Sequence, residues 1–160
     1  YQSGAFAMAE LSDSSLPNDW EASVEAAPHA VHKRRRTLRV LLAEKIHLIA
    51  ADLAYELKKQ GIEVEAITDS QAEALRMIGG QHLDLALLNI ELCDGASYPV
   101  AQKLGQFGIP FAFFTTYSRD EIADGFKDVP RLQKPQDTRK IARQVLELAE
   151  RVVPYLQTTA

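Results

Sequence analysis

The feature that most constrains the fold is an alternation, from Thr37 onward, of short apolar runs with segments of helical spacing. Residues 38–43 are a branched apolar run that predicts a buried strand. Residues 46–60 carry apolar side chains at helical spacing, and Gly61 is placed to end that helix. This strand-then-helix pattern occurs five times with short connections. It predicts an α/β fold with parallel strands, right-handed crossovers and helices on both faces of the sheet.

The later elements are bounded by capping and turn residues. Ser70 and Glu73 form a capping-box pattern, in which the serine hydroxyl accepts the Glu73 amide and the glutamate reaches back. Asp137 or Thr138 is expected to cap the last helix. The predicted strands are 62–67, 83–90, 111–115 and 131–134. The predicted helices are one from Ser70 to Gly79-Gly80, then 98–106, at most a short fourth helix at 120–126, and 138–153.

Polar residues end several of the predicted strands. In open parallel sheets the functional crevice lies outside the carboxyl ends of the strands, so these residues are the candidates for a site. They are Glu44 and Lys45, Asn89, Thr115 and Thr116, and Lys134. Asn89 follows the run 83–88, in which Asp84 is the only polar residue, and the Asn89 amide neither ionises nor acts as a good nucleophile beside a carboxylate.

Four of these stretches, in this order, resemble the receiver domains of two-component response regulators, the CheY-like family. They are LLAEK (41–45), LLNIEL (87–92), FFTTYS (113–118) and LQKP (132–135). SYPVAQKL (97–104), GIPFAFFTTYS (108–118) and GFKDVPRLQKP (125–135) are similar to alphaproteobacterial single-domain receivers with a Phe-Ala-Thr-Gly-Tyr-type motif. The resemblance covers about residues 37–153. It implies a flavodoxin-like (βα)5 three-layer sandwich with a parallel sheet in the order 2-1-3-4-5.

The resemblance also implies a phosphorylation pocket, which this sequence alters. Receivers hold a divalent cation with two acids after strand one and a phosphorylated Asp after strand three, whereas this chain has Glu44-Lys45 and Asn89. One carboxylate beside two ammonium groups is a poor site for a hard dication. We therefore predict a vestigial pocket with no magnesium and no phosphorylation at Asn89, made of Glu44, Lys45, Asn89, Thr115 and Lys134.

Two details of the pocket follow from this prediction. We expect Lys45 to take the room of the absent metal, held by Glu44 and the Asn89 carbonyl. The sequence leaves open whether Glu91, two residues after Asn89, adds a second carboxylate.

The resemblance further suggests a partner surface on the fourth helix, the fifth strand and the last helix. Its predicted residues are Tyr117, Phe126, Arg131 and Gln133, with the outer face of 138–153. Arg131 stands where receivers usually carry a switch aromatic, so an aromatic rotamer switch is not expected. An equal alternative is that Tyr117 and Phe126 only cover the sheet edge where the fourth helix is short.

The function predicted first is a non-enzymatic pseudo-receiver, a protein-interaction module in two-component or stress signalling. Its partner would be a histidine kinase, another response regulator, or a second copy bound through the fourth helix, fifth strand and fifth helix. One alternative is an atypical phosphoacceptor at a site other than Asn89. Another is a small-anion sensor using Lys45, Lys134, Thr115 and Thr116. A third is simple decay of the pocket with no remaining role.

Composition and charge exclude several other classes. The net charge of −4 argues against a nucleic-acid surface, and no apolar run approaches the roughly 20 residues that span a bilayer. Cys93 is the single cysteine, so no internal disulfide forms, and we expect a cytoplasmic protein. The histidines lack metal-ligand spacing.

The chain is expected to have three parts. Residues 1–36 comprise a tag remnant at 1–7, with Met8 as the natural start, and a flexible arm that is acidic first and basic last. The receiver-like domain spans 37–156, and 157–160 form a tail. Whether Trp20 in the arm docks on a protein surface is left open.

Overall fold

The computed structural model of the chain describes residues 37–153. The predicted arm at 1–36, with Trp20, and residues 154–160 lie outside the described residues. The elements are β1 Leu38–Ala43, α1 His47–Lys59, β2 Ile62–Thr68, α2 Gln71–Met77, β3 Leu85–Leu88, β4 Glu91–Leu92, β5 Gly95–Ala96, α3 Tyr98–Gln106, β6 Phe111–Thr115, β7 Arg131–Gln133 and α4 Thr138–Val152.

Five strands form one parallel sheet in the order β2-β1-β3-β6-β7. Counted along the chain without the short β4 and β5, this is the predicted order 2-1-3-4-5, so the predicted fold class is confirmed. Within residues 37–153 there is no helix long and apolar enough to cross a membrane.

The sheet is covered on both faces, which explains why β1 is apolar from Val40 to Ala43. Val40 and Leu42 belong to the core cluster under α1 and α4, while Leu41 and Ala43 belong to the cluster under α2 and α3. Successive side chains of a strand point to opposite faces. Both faces of β1 are therefore buried, and its carboxyl end is held rigidly between two layers of helices.

The predicted start of α2 is half right. The Ser70 hydroxyl accepts the Glu73 amide at 3.2 Å, as the capping box requires. The Glu73 carboxylate does not return to the Ser70 amide, because it accepts the Thr68 hydroxyl at 2.5 Å instead. The Ser70 amide donates to Thr68 Oγ1 at 3.1 Å. Asp137 is the cap of α4, since its carboxylate accepts the Arg139 amide at 2.8 Å.

The predicted short fourth helix at 120–126 is wrong. The residues between β6 and β7 form successive turns, in which amides bond to carbonyls three residues back: Glu121 to Ser118 and Phe126 to Ala123. The Glu121 carboxylate also accepts the Ser118 amide at 2.7 Å. Such local bonds compete with a helix. Gly125 then adopts φ +91°, outside the helical region.

A short hairpin, β4 with β5, was missed by the sequence analysis. Leu92 pairs with Gly95 in antiparallel register around a turn at Cys93 and Asp94. The Asp94-Gly95 dipeptide is a turn signal that could have indicated it. The hairpin lies directly after β3 and therefore places its side chains beside the end of the sheet.

Candidate functional site

The carboxyl ends of the parallel strands bring four of the predicted pocket residues to one edge of the sheet. Glu44 follows β1, Asn89 follows β3, Thr115 ends β6 and Lys134 follows β7. Backbone bonds continue the sheet past the strand ends, from the Asn89 amide to the Ala43 carbonyl and from the Lys134 amide to the Thr115 carbonyl, both at 2.8 Å. These residues are therefore held by the sheet itself.

Glu44 is the centre of the pocket and is fully buried. Its Oε1 accepts the Ile46 amide at 2.9 Å and the Asn89 side-chain amide at 3.2 Å. Its Oε2 is ion-paired with the ammonium of Lys134. The Lys134 Nζ also lies 4.5 Å from the centroid of the Phe114 ring. Both oxygens of the one buried carboxylate in this pocket are thus occupied by protein groups.

The expected role of Lys45 is wrong. Its side chain is exposed and makes no hydrogen bond or ion pair within residues 37–153. The ammonium that meets Glu44 belongs to Lys134, and Asn89 contributes its amide nitrogen rather than its carbonyl. Glu44 is buried directly after β1, whereas its neighbour Lys45 lies at a bend of the chain and is exposed.

The direction of Glu91, which the sequence left open, is set by the hairpin. Its carboxylate accepts the Tyr117 hydroxyl at 2.7 Å. That hydrogen bond, with desolvation, raises the pKa of Tyr117 to about 12. Within the described residues, no group of three or more His, Cys, Asp or Glu side chains is arranged to hold a metal ion.

A cavity of about 880 Å³ opens beside the pocket, between the start of α1 and the ends of β6 and β7. Its rim is apolar, with Leu48 79% exposed and Ile46 51% exposed. Asp52 and Glu91 also line it, together with Lys45 and Lys134. These two acids balance the charges of the two lysines, so the cavity lacks the positive charge that the alternative of a small-anion sensor requires.

The predicted partner-surface residues mostly make contacts within the domain. The Arg131 guanidinium donates to the Tyr117 carbonyl at 2.9 Å. The Gln133 side chain donates to the Thr116 carbonyl at 3.2 Å. Phe126 stacks on Tyr98 with ring centroids 5.1 Å apart. These contacts fasten residues 116–130 to the sheet edge, and the fourth helix that was to form part of the surface is absent from this segment.

Thr115 is buried and its hydroxyl oxygen accepts the Tyr117 amide at 3.1 Å. It therefore sets the direction of the chain as it leaves β6. The site residues that the sequence analysis missed are Leu48 and Asp52 on α1. Leu48 gave a signal, since it is a large apolar side chain that falls outside the buried stripe of that helix.

Comparison with known proteins gives the following likenesses. No protein-family model and no curated protein matches the chain. Among solved structures, SdrG from Sphingomonas melonis Fr1 is 32% identical, with a TM-score of 0.61 over 70% of this chain and 96% of that one. The BeF3-activated conformation of SdrG from Pseudomonas melonis Fr1 is also 32% identical, with a TM-score of 0.60 over 69% and 95%. A CheY-like response regulator receiver domain protein from Methanospirillum hungatei JF-1 is 21% identical, with a TM-score of 0.66 over 75% and 99%.

Proposed function

Because the chain belongs to the CheY-like family of response-regulator receiver domains, we propose that it is a signalling module that acts by binding another protein, without phosphorylation of Asn89. The observation that carries the proposal is the state of Glu44, whose two oxygens are both bonded to protein groups. In this proposal the chain is not an enzyme and needs no cofactor.

The first support is the chemistry of the acceptor position. An aspartate attacks phosphorus with an anionic oxygen, whereas the amide of Asn89 carries no charge and is a poor nucleophile. The Asn89 amide nitrogen donates to Glu44, so the side chain serves as a hydrogen-bond donor inside the pocket. Asparagine keeps the shape of an aspartate here while adding a link to the neighbouring carboxylate.

The second support is the cost of admitting a cation. Mg²⁺ binds through oxygen ligands in near-octahedral geometry, commonly with one or two carboxylates. In this pocket it would have to displace Lys134 from Glu44, and that lysine side chain is only 10% exposed. The displaced Lys134 ammonium would be left without its counter-ion, and leaving one charge of a buried ion pair uncompensated costs about 3–5 kcal/mol. Glu44 is followed by Lys45 rather than by a second acid, so the pocket offers the cation a single carboxylate at this strand end. One carboxylate gives the cation little to offset that cost.

The third support concerns where a partner would bind. Ile46, Leu48 and Pro135 form an exposed apolar rim around the 880 Å³ cavity. Exposed apolar clusters of this kind are typical of protein-binding surfaces. We propose that this apolar rim binds a two-component partner, either a histidine kinase or another response regulator. This apolar rim lies beside the Glu44–Lys134 ion pair. In this proposal the ion pair fixes the conformation of the surface that the partner binds, and no phosphoryl group is needed.

Intact-mass spectrometry after incubation with magnesium and acetyl phosphate, a small phosphoryl donor, tests the loss of phosphorylation. The wild-type chain is expected to gain no phosphoryl adduct. The matched control is Lys45→Asp/Asn89→Asp, which restores an acid and an acceptor on the same scaffold, and SdrG serves as an external control. An adduct on the wild-type chain would refute the proposal and favour an atypical phosphoacceptor.

A binding assay against purified histidine-kinase and receiver domains tests the partner surface. Leu48→Asp places a charge in the apolar rim and is expected to weaken binding by at least about tenfold, or 1.4 kcal/mol. Phe107→Ser is the control, because Phe107 is also exposed but does not line this cavity. Equal loss in both variants would argue against the rim.

A further inference from the structure

A second apolar patch lies on the outer flank of α1 and the edge strand β2. Tyr55 is 63% exposed and Ile67 is 44% exposed. A groove of about 580 Å³ runs between the helix and the strand, lined by these two side chains and Val64. It shares no lining residue with the cavity beside Glu44. A projecting aromatic side chain thus stands next to an apolar hollow on one surface.

The groove also carries one charged side chain of each sign. Lys58 on α1 and Glu63 on β2 line it. The Lys58 side chain makes no hydrogen bond or ion pair within residues 37–153, whereas the Glu63 carboxylate interacts electrostatically with Arg39, its partner in the β1–β2 register. Their neighbours differ, since Lys59 pairs with Glu56 at 3.1 Å and Glu65 pairs with an arginine of β1 at 2.5 Å. The groove therefore presents two charges of opposite sign that form no ion pair within the described residues.

The edge of β2 is not built for strand pairing. The register between β1 and β2 shifts at Glu65, which is left over as a bulge between Val64 and Ala66. Bulges and charged side chains are features with which proteins protect sheet edges from other strands. A partner at this edge is therefore expected to dock through side chains in the groove rather than by extending the sheet.

We propose that this patch is the contact surface of a symmetric homodimer of the chain. In a twofold dimer the same patch meets itself, so it must be complementary to itself. Tyr55 beside the hollow gives the patch this property in shape, and the opposite charges of Lys58 and Glu63 give it in charge. Tyr55 of each copy fills the groove of the other, and Lys58 of one copy pairs with Glu63 of its partner. This surface is independent of the proposed function.

The size of the patch predicts a weak dimer. Nine residues line the groove, whereas a stable interface uses about 20–30 residues from each side. Sedimentation equilibrium of the full chain tests this from about 10 μM to about 1 mM, the range of weak association. The weight-average mass is expected to rise from 17.8 kDa toward twice that value. A mass that stays at 17.8 kDa throughout would overturn the proposal.

Variants separate this surface from others. Tyr55→Ser is expected to remain monomeric, while Phe107→Ser, which replaces an exposed apolar residue outside both cavities, associates like the wild type. Association that survives Tyr55→Ser would place the dimer contact on another face and refute the proposal. Far-UV circular dichroism confirms that each variant is folded.

A charge-swap cycle tests the twofold geometry directly. Lys58→Glu and Glu63→Lys each turn two attractive contacts into repulsive ones and are expected to weaken association by about tenfold. The double variant Lys58→Glu/Glu63→Lys restores both contacts and is expected to return to within about threefold of the wild type. A double variant that is as weak as the single variants would contradict the pairing.

Discussion

Replacing Lys134 by methionine tests the ion pair on which the account of the pocket depends. The Lys134 side chain is 10% exposed and that of Glu44 is fully buried, so the variant leaves a buried carboxylate without its counter-ion. Removing one partner of such a pair costs about 3–5 kcal/mol of unfolding free energy. Glu44 keeps its hydrogen bonds from Ile46 and Asn89, so we expect the low end, about 3 kcal/mol.

A double-mutant cycle isolates the pair from the packing of the lysine chain. Glu44→Gln/Lys134→Met removes both charges together and is expected to cost under about 2 kcal/mol, because no charge is left buried alone. The coupling free energy should then exceed about 1 kcal/mol by at least the cost of Glu44→Gln alone, measured by urea unfolding with far-UV circular dichroism. The reasoning is refuted if Lys134→Met costs under about 1 kcal/mol, or if the double variant costs the sum of the single ones.

Three further predictions concern the surroundings of the pocket. Amide hydrogen bonds at the start of α2 lower the pKa of Asp94, so its stabilisation is complete above about pH 4 and is lost as the pH falls through the folded-state pKa. Asp94→Asn should therefore lower the urea midpoint at pH 7, and the difference from wild type should shrink on acidification. Glu91→Gln should bring the pKa of Tyr117 down from about 12 toward 10, as followed by ultraviolet phenolate absorption; an unchanged titration would contradict the hydrogen bond. The wild-type contact stabilises the fold below the unfolded pKa of about 10 and is lost as the pH rises through about 12. Phe126→Ala should cost about 2–3 kcal/mol in urea unfolding, because the half-buried ring stacks on Tyr98, and a cost near zero would refute its role in holding the segment.

The regular elements were predictable because their sequence signals are local. The bounds of α3 and of β6 agree with the sequence analysis to the residue, since Pro99 begins one helix and a run of aromatic residues fills one strand. The sheet order came from the resemblance, and strand-helix alternation supports its parallel sense. The same principle that places functional groups at carboxyl strand ends brought Glu44, Asn89 and Lys134 together.

The contacts inside the pocket were not predictable from charge counts. The sequence contains two lysines at the strand ends, and only the fold shows that Lys134, 90 residues after Glu44, is the one that pairs with it. Lys45, one residue after Glu44, lies at a bend beyond the end of β1 and is exposed. Asp52 and Glu91 entered the charge balance only through the packing of α1 and the hairpin beside the cavity.

The absence of the predicted fourth helix shows that local hydrogen bonds can outweigh a helical spacing of apolar residues. Ile122 and Phe126 are four residues apart, a spacing typical of one helix face. The Glu121 side chain instead binds the Ser118 amide, and Gly125 turns the chain with a positive φ. Tertiary contacts of Phe126 with Tyr98 then hold the turns in place. A propensity argument for seven residues does not include these bonds.

The most direct test of the locked pocket is an amide NMR titration of the wild-type chain with magnesium and then with magnesium and beryllofluoride, a phosphoryl mimic. The account predicts that the amides of Glu44, Asn89, Thr115 and Lys134 do not shift, because Lys134 already occupies the only buried carboxylate of the site. Lys45→Asp/Asn89→Asp, titrated in parallel, shows that the method detects an occupied pocket. Saturable shifts of these amides in the wild-type chain would contradict the account and show that the pocket still binds a cation or a phosphoryl group.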